Sequence, residues 1–221
     1  MDLYIKHKPS PYFRPNNGFN YSNTNYALLA NIVEQISGQP FDVFMKENIF
    51  DPLGMNDSFI YHMNNDSIVS PYITVGIPGY RYRGWRPVRQ RNEYLNGVMG
   101  DKGVYSSVED LLKFDQALYQ NTLVSDTTLA EAFIPGSPKS RKRRDNYGFG
   151  WRIRGGMDST VYHYGWWKGF KAFYIRDMKK QKTIILLSNR TKGVGSTPLW
   201  NIIRSEKYEL PEVSLLADTI R

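Results

Sequence analysis

Apolar residues at Tyr26, Leu29, Ile32, Val33 and Ile36 recur at three- and four-residue spacing, with Leu28 at the edge of the stripe. That period predicts an amphipathic helix from about Thr24 to Ser37 with this face buried. Ser22, Asn23 or Thr24 can cap its start, and Gly38 stops it. Pro40 suits the first turn of a second helix, whose buried stripe is Phe41, Phe44, Met45 and Ile49 and whose end is Pro52-Leu53-Gly54-Met55. From Asn56 to Asn96 no period is sustained, which predicts long loops with room for one short hairpin. Long aperiodic segments often border a functional site. Gly97, Gly100 and Gly103 then imply a tight turn or backbone packed closely on something else. Ser106 and Glu109 read as a capping box before a helix carrying Leu111, Leu112, Phe114, Ala117 and Leu118.

The last third changes period. Segments 147–153, 160–165, 169–177 and 182–189 read as strands joined by short turns. Met178 to Gln181 makes the final two antiparallel neighbours. A helix follows from about Pro198 to Glu206, and the end, YELPEVSLLADTIR, reads as a linker into another helix. The fold class is therefore α+β, an antiparallel sheet flanked by helices. Residues 1–190 form one unit, with cleft helices and loops over 18–120 and the sheet over 147–190. Residues 191–221 are a C-terminal helix and a tail.

Composition narrows the chemistry. At 221 residues the chain can bury a sizeable core. It has no cysteine, which excludes disulfides and thiolate metal sites. No apolar run is long enough for a transmembrane helix, and the first residues lack the apolar core of a signal peptide. Net charge is +8, concentrated partly at Lys139, Arg141, Lys142, Arg143 and Arg144. That run lies between a Pro/Gly turn and a strand and reads as a solvated loop, so no nucleic-acid partner is expected. A second basic stretch, Arg81 to Arg91, interleaves aromatics with arginines. It reads as a surface excursion beside a cleft, able to stack on sugars or bind an anion. The segment GDKG (100–103) lacks the Gly-Lys-Ser/Thr ending of a phosphate loop.

Two short motifs carry candidate chemistry. Tyr21-Ser22-Asn23 opens the first helix, and by itself it is only an N-cap beside a tyrosine. His163-Tyr164-Gly165 ends a strand-like segment and is followed by Trp166. The whole stretch Tyr21 to Met55 resembles the serine β-lactamase and penicillin-binding-protein family, nearest its class C β-lactamase and esterase branch. His163-x-Gly165 resembles that family's third motif, a Lys or His followed by any residue and Gly on an edge strand lining the cleft. Residues 97–114 resemble its Gly-rich turn and following helix, where no catalytic role is carried over. The likeness runs from about Gly18 to Asn189, with the motifs in the family's order.

The resemblance implies a β-lactamase/transpeptidase-like fold and acyl transfer on a β-lactam, a D-alanyl peptide or a small ester, with no metal or cofactor. It also implies a periplasmic or exported setting. Tyr21 would shuttle the proton, which requires nearby cations to lower a phenol pKa that is ordinarily near 10. Asn23 would clamp the substrate, and His163 would stabilise developing negative charge. Tyr164, Gly165 and Trp166 would line the substrate strand. Gly165 leaves room for the acyl group, and the Trp166 N–H supplies one half of an oxyanion hole.

One departure is severe. No serine has a lysine three positions later: Ser106, Ser137 and Ser140 lead to Glu109, Ser140 and Arg143. Gly-x-Ser-x-Gly is also absent. The nucleophilic Ser-x-x-Lys is expected upstream of Tyr21, outside this chain, so the N-terminal part of the fold would be missing. The chain alone is expected to lack acyl-transfer activity. An uncovered sheet edge would favour a homo-oligomer. The competing class is a non-catalytic module that keeps the cleft to hold a cell-wall peptide or glycan. A third reading is anionic-polymer binding through Arg81–Arg91 and Lys139–Arg144, which requires steep salt dependence.

Overall fold

The computed structural model describes residues 6–7, 9–62, 78–91, 94–136, 145–157, 159–193 and 195–205. The expected 139–144 loop, the C-terminal tail and all of 63–77 lie outside them. The helices are α1 (Asn23–Ser37), α2 (Phe41–Met45), α3 (Val108–Tyr119), α4 (Asp126–Ala132) and α5 (Ser196–Arg204). A π turn over Lys46–Phe50 continues α2. The strands are β1 (Phe59–Ile60), β2 (Tyr80–Arg83), β3 (Arg86–Arg89), β4 (Val104–Tyr105), β5 (Asn146–Tyr147), β6 (Arg152–Ile153), β7 (Thr160–Trp167), β8 (Phe170–Asp177) and β9 (Lys182–Ser188). Together they form an α+β fold with a five-stranded antiparallel sheet in the order β5-β6-β7-β8-β9.

The long strands form where Val, Ile, Tyr and Phe cluster, and the expected Met178–Gln181 turn joins β8 to β9. α5 covers one face of the sheet. Its Leu199, Trp200 and Ile203 pack with Tyr162, Phe173 and Ile175 in the main core. α3 lies against β9 on the other side. Asp115 of α3, 3% exposed as a side chain, receives Arg176 Nε at 2.6 Å, the Tyr174 hydroxyl at 2.8 Å and Thr183 Oγ1 at 2.9 Å. A second core gathers Phe50, Met55 and Ile60, with Phe41, Met45 and Ile49 against it. Phe44 is absent from that cluster, although the stripe had included it.

Three expectations need correction. The buried residues of α1 are Ala27 and Ala30, while Leu29, Ile32 and Ile36 are 52%, 50% and 83% exposed. The helix turns its small side chains inward because Gly100 packs against the Tyr26 carbonyl and the Ala30 methyl, a gap too narrow for larger residues. The cap of α3 is Ser107, which accepts from the Asp110 N–H at 3.2 Å. Ser106 instead shares a hydrogen bond with Ser58 at 2.7 Å. Finally, 147–153 is two short strands, β5 and β6, with Gly150 at φ 77 between them.

The single hairpin that the 56–96 stretch left room for is β2–β3. It roots on the main sheet through Tyr80 N–H to the Asn189 carbonyl at 2.7 Å and Thr191 N–H to the Tyr80 carbonyl at 3.0 Å.

Candidate active site

Tyr21 stands two residues before α1, where Ser22 in extended conformation turns the chain into the first turn. His163 sits in the middle of β7, opposite Tyr174 of β8. Their rings meet with centroids 6.2 Å apart and planes tilted by 30°. Two further residues complete the group. The Tyr147 hydroxyl lies 3.1 Å from His163 Nε2, and Tyr26 donates to that hydroxyl at 3.3 Å. Arg152, paired with Tyr147 across the β5–β6 hairpin, holds its guanidinium 5.3 Å from the Tyr21 ring centre and 5.7 Å from that of Tyr147.

The electrostatics differ from those expected at the Tyr21 phenol. Burial pushes its pKa above the ordinary value, and Arg152 opposes that without reversing it. Asp101 adds to the upward push. His163 titrates below its ordinary value, first because it is buried and then because Arg152 is close. At neutral pH it is an uncharged imidazole, so the positive charge of the group belongs to Arg152. Burial, then the hydrogen bond with Tyr26, raises the Tyr147 phenol, keeping it a neutral donor and acceptor.

Strand alternation sorts the remaining residues. Gly165 shares the face of His163, and a Cβ there would come within 3.3 Å of the Ala172 methyl across the ladder. Tyr164 faces the other way, and its ring packs on Tyr162 and Phe173 at centroid distances of 4.9 and 4.8 Å. Only its backbone is left for the cleft. Trp166 is 72% exposed. Asn23 is exposed at the first turn of α1, and its amide makes no hydrogen bond among the described residues. Trp167 lies under the Lys102 ammonium at 4.8 Å, and Lys102 is paired with Asp101. The glycine-rich loop 97–103 thus flanks the same group.

β6 pairs with β7 only at Val161 and Tyr162. From His163 to Trp167 the outer edge of β7 has no strand partner among the described residues. An open edge offers backbone donors and acceptors to an extended ligand. No group of His, Cys, Asp and Glu able to hold a metal ion occurs among the described residues.

Tyr147, Arg152 and Tyr26, which the sequence did not single out, stand beside its candidates Tyr21 and His163. The signal for the first two was the Gly148–Gly150 interruption. Read as a hairpin rather than a strand, it sets Tyr147 opposite Arg152, next to the histidine strand.

Known proteins share this arrangement of elements. The profile of the family described as Beta-lactamase matches residues 4–207. Penicillin-binding protein 4* of Bacillus subtilis is 35% identical over 225 residues, covering 96% of this chain and 50% of that protein. A putative D-alanyl-D-alanine carboxypeptidase of Escherichia coli is 25% identical, covering 94% of this chain and 53% of that protein. The chain spans about half the length of the curated relatives it matches. Among solved structures, a penicillin-binding protein from Bacillus halodurans superimposes with a TM-score of 0.71 at 22% identity, over 90% of this chain and 59% of that one. The chain therefore belongs to the beta-lactamase family, among relatives named as penicillin-binding proteins and D-alanyl-D-alanine carboxypeptidases.

Proposed function

We propose that this chain forms the proton-transfer and substrate-binding wall of a serine acyl hydrolase acting on a D-alanyl peptide, a β-lactam or a small ester. The observation that carries the reading is the placement of Tyr21 against His163, under Arg152, beside the open edge of β7. In this reading Tyr21 carries the proton between the nucleophile and the leaving group. The neutral His163, held by Tyr147, accepts or donates a hydrogen bond as the phenol ionises. Arg152 stabilises phenolate or substrate carboxylate in the cleft. Asn23 orients the substrate amide. Gly165 leaves space for the acyl group along β7, and the Trp166 N–H is one oxyanion donor.

The nucleophile is a serine with a lysine three residues on, outside these 221 residues. Within them no serine has that spacing. The raised Tyr21 pKa fits that division, because the second cation needed to lower it would be that lysine.

The test is intact mass of the protein isolated from its source, after exposure to a fluorescent penicillin and to a fluorophosphonate. A protein heavier than 25.7 kDa carrying a covalent adduct is expected. A 25.7 kDa protein with no adduct would overturn the hydrolase reading in favour of a binding module. The 221-residue chain by itself is expected to take no label, and stoichiometric acylation of it would refute the division of residues.

A further inference from the structure

The β2–β3 hairpin has no part in the cleft chemistry. Residues 78–91 contain Arg81, Arg83, Arg86, Arg89 and Arg91 and no acidic residue. The register pairs Arg83 with Arg86 and Arg81 with Val88, so Arg81, Arg83 and Arg86 share one face. Successive same-face positions along a strand are about 7 Å apart and directly opposed ones about 5 Å apart. All three are exposed, and none has an ion pair among the described residues. Like charges placed directly opposite destabilise a hairpin. This one keeps three on one face without a carboxylate among the described residues to offset them.

The opposite side carries a cation–aromatic contact. Lys192, just after β9, sits 3.7 Å from the centre of the Trp85 ring and 5.8 Å from that of Tyr82. The hairpin closes through a two-residue loop, Gly84-Trp85, with Gly84 at φ 63. Its root is fixed. Gly169 (φ 89) lies against Tyr80, and the Asn189 amide donates to the Pro78 carbonyl at 3.0 Å. The arginine face is therefore presented on a rigid support two residues beyond Trp167, at one end of the open β7 edge.

We propose that the Arg81, Arg83 and Arg86 face binds a non-nucleic anionic polymer carrying phosphate groups along its chain. Guanidinium groups match phosphate by two parallel hydrogen bonds, and a row of them follows a chain of phosphates better than a single anion. Lys192 holds one face of the exposed Trp85 ring, which leaves only the opposite face for a base to stack on. Insertion into a lipid surface is also disfavoured, because Trp85 is the one large apolar side chain at a tip otherwise made of Arg83, Gly84, Arg86 and Pro87. The proposal stands on the hairpin and does not depend on acylation.

The test is binding of the 221-residue chain to linear inorganic polyphosphate by titration calorimetry across a salt series. The triple variant Arg81→Gln, Arg83→Gln, Arg86→Gln is expected to bind more than about tenfold more weakly and to lower the salt slope by about two. A matching variant with glutamine at Lys139, Arg141, Lys142, Arg143 and Arg144 is expected to bind within about threefold of the parent. Unchanged affinity in the hairpin variant, or loss that follows the 139–144 variant instead, would overturn the proposal. So would tighter binding to phosphatidylglycerol vesicles or to oligothymidylate than to polyphosphate at equal charge, which would assign the face to a membrane or to single-stranded nucleic acid. Near-native circular dichroism of the hairpin variant keeps a loss of binding interpretable.

Discussion

Arg176 and Asp115 form an ion pair in the interior, 2.6 Å apart, with side chains 1% and 3% exposed. The pair joins α3 to the sheet, and the guanidinium also lies 4.3 Å from the Tyr119 ring centre. Two charges desolvated together hold each other, and removing one leaves the other stranded. Asp115→Ala is expected to cost about 3–5 kcal/mol of stability, read by urea denaturation. Asp115→Leu with Arg176→Met should cost clearly less than Asp115→Ala, and an equal loss would mean that packing rather than charge decides.

Stability should fall on the acid side because of His163. Burial and then Arg152 hold its folded pKa below the ordinary value, whereas in the unfolded chain it titrates near 6.5. As the pH drops through about 6.5 the unfolded chain binds the extra proton first, so the contribution is whole above that pH and shrinks below it. Urea midpoints measured from pH 8 to pH 5 should decline less in His163→Gln than in the parent. Parallel declines would assign the acid sensitivity elsewhere.

Arg152→Gln removes the cation that both Tyr21 and His163 feel. The His163 imidazole should then titrate at higher pH, and so should the Tyr21 phenol. The chain has three histidines, so proton NMR resolves the shift, with His7 and His62 as internal references. An unmoved His163 titration would remove Arg152 from the site.

Gly100 has φ 90, and a Cβ there would lie 2.7 Å from the Ala30 methyl and closer still to the Tyr26 carbonyl. Gly100→Ala should therefore cost at least about 2 kcal/mol and loosen the 97–103 loop from α1. Its melting temperature, compared with that of Gly156→Ala at a left-handed position facing open space, separates the clash from backbone strain alone.

Leu29, Ile32 and Ile36 lie on the exposed side of α1. Replacing all three by glutamine should leave the chain's urea midpoint within about 0.5 kcal/mol of the parent. A loss of several kcal/mol would mean that a second copy covers this stripe in solution.

The same three residues mark where sequence reading stopped. Their spacing identified the helix, because a 3.6-residue period needs only the chain itself. It could not tell which side of α1 meets the glycine loop, since that depends on Gly100, seventy residues away. Tyr21 and His163 were legible because each sits in a local motif. Tyr147 and Arg152 were not, because their role comes from cross-strand register and from the turn at Gly150. Asp115 also escaped notice. A carboxylate on an apolar helix face looks misplaced until Arg176, Tyr174 and Thr183 are brought to it by the sheet.

Gly150 has one more effect. Continuing the β6–β7 register would set Trp151 beside His163 and residue 150 beside Tyr164. With φ 77, Gly150 bends the chain out of the sheet just before that pairing could extend. β7 is therefore an interior strand for its first half and a border for its second. An ordinary β-forming residue in place of Gly150 would favour pairing of Trp151 with His163 and would close part of that border with backbone hydrogen bonds.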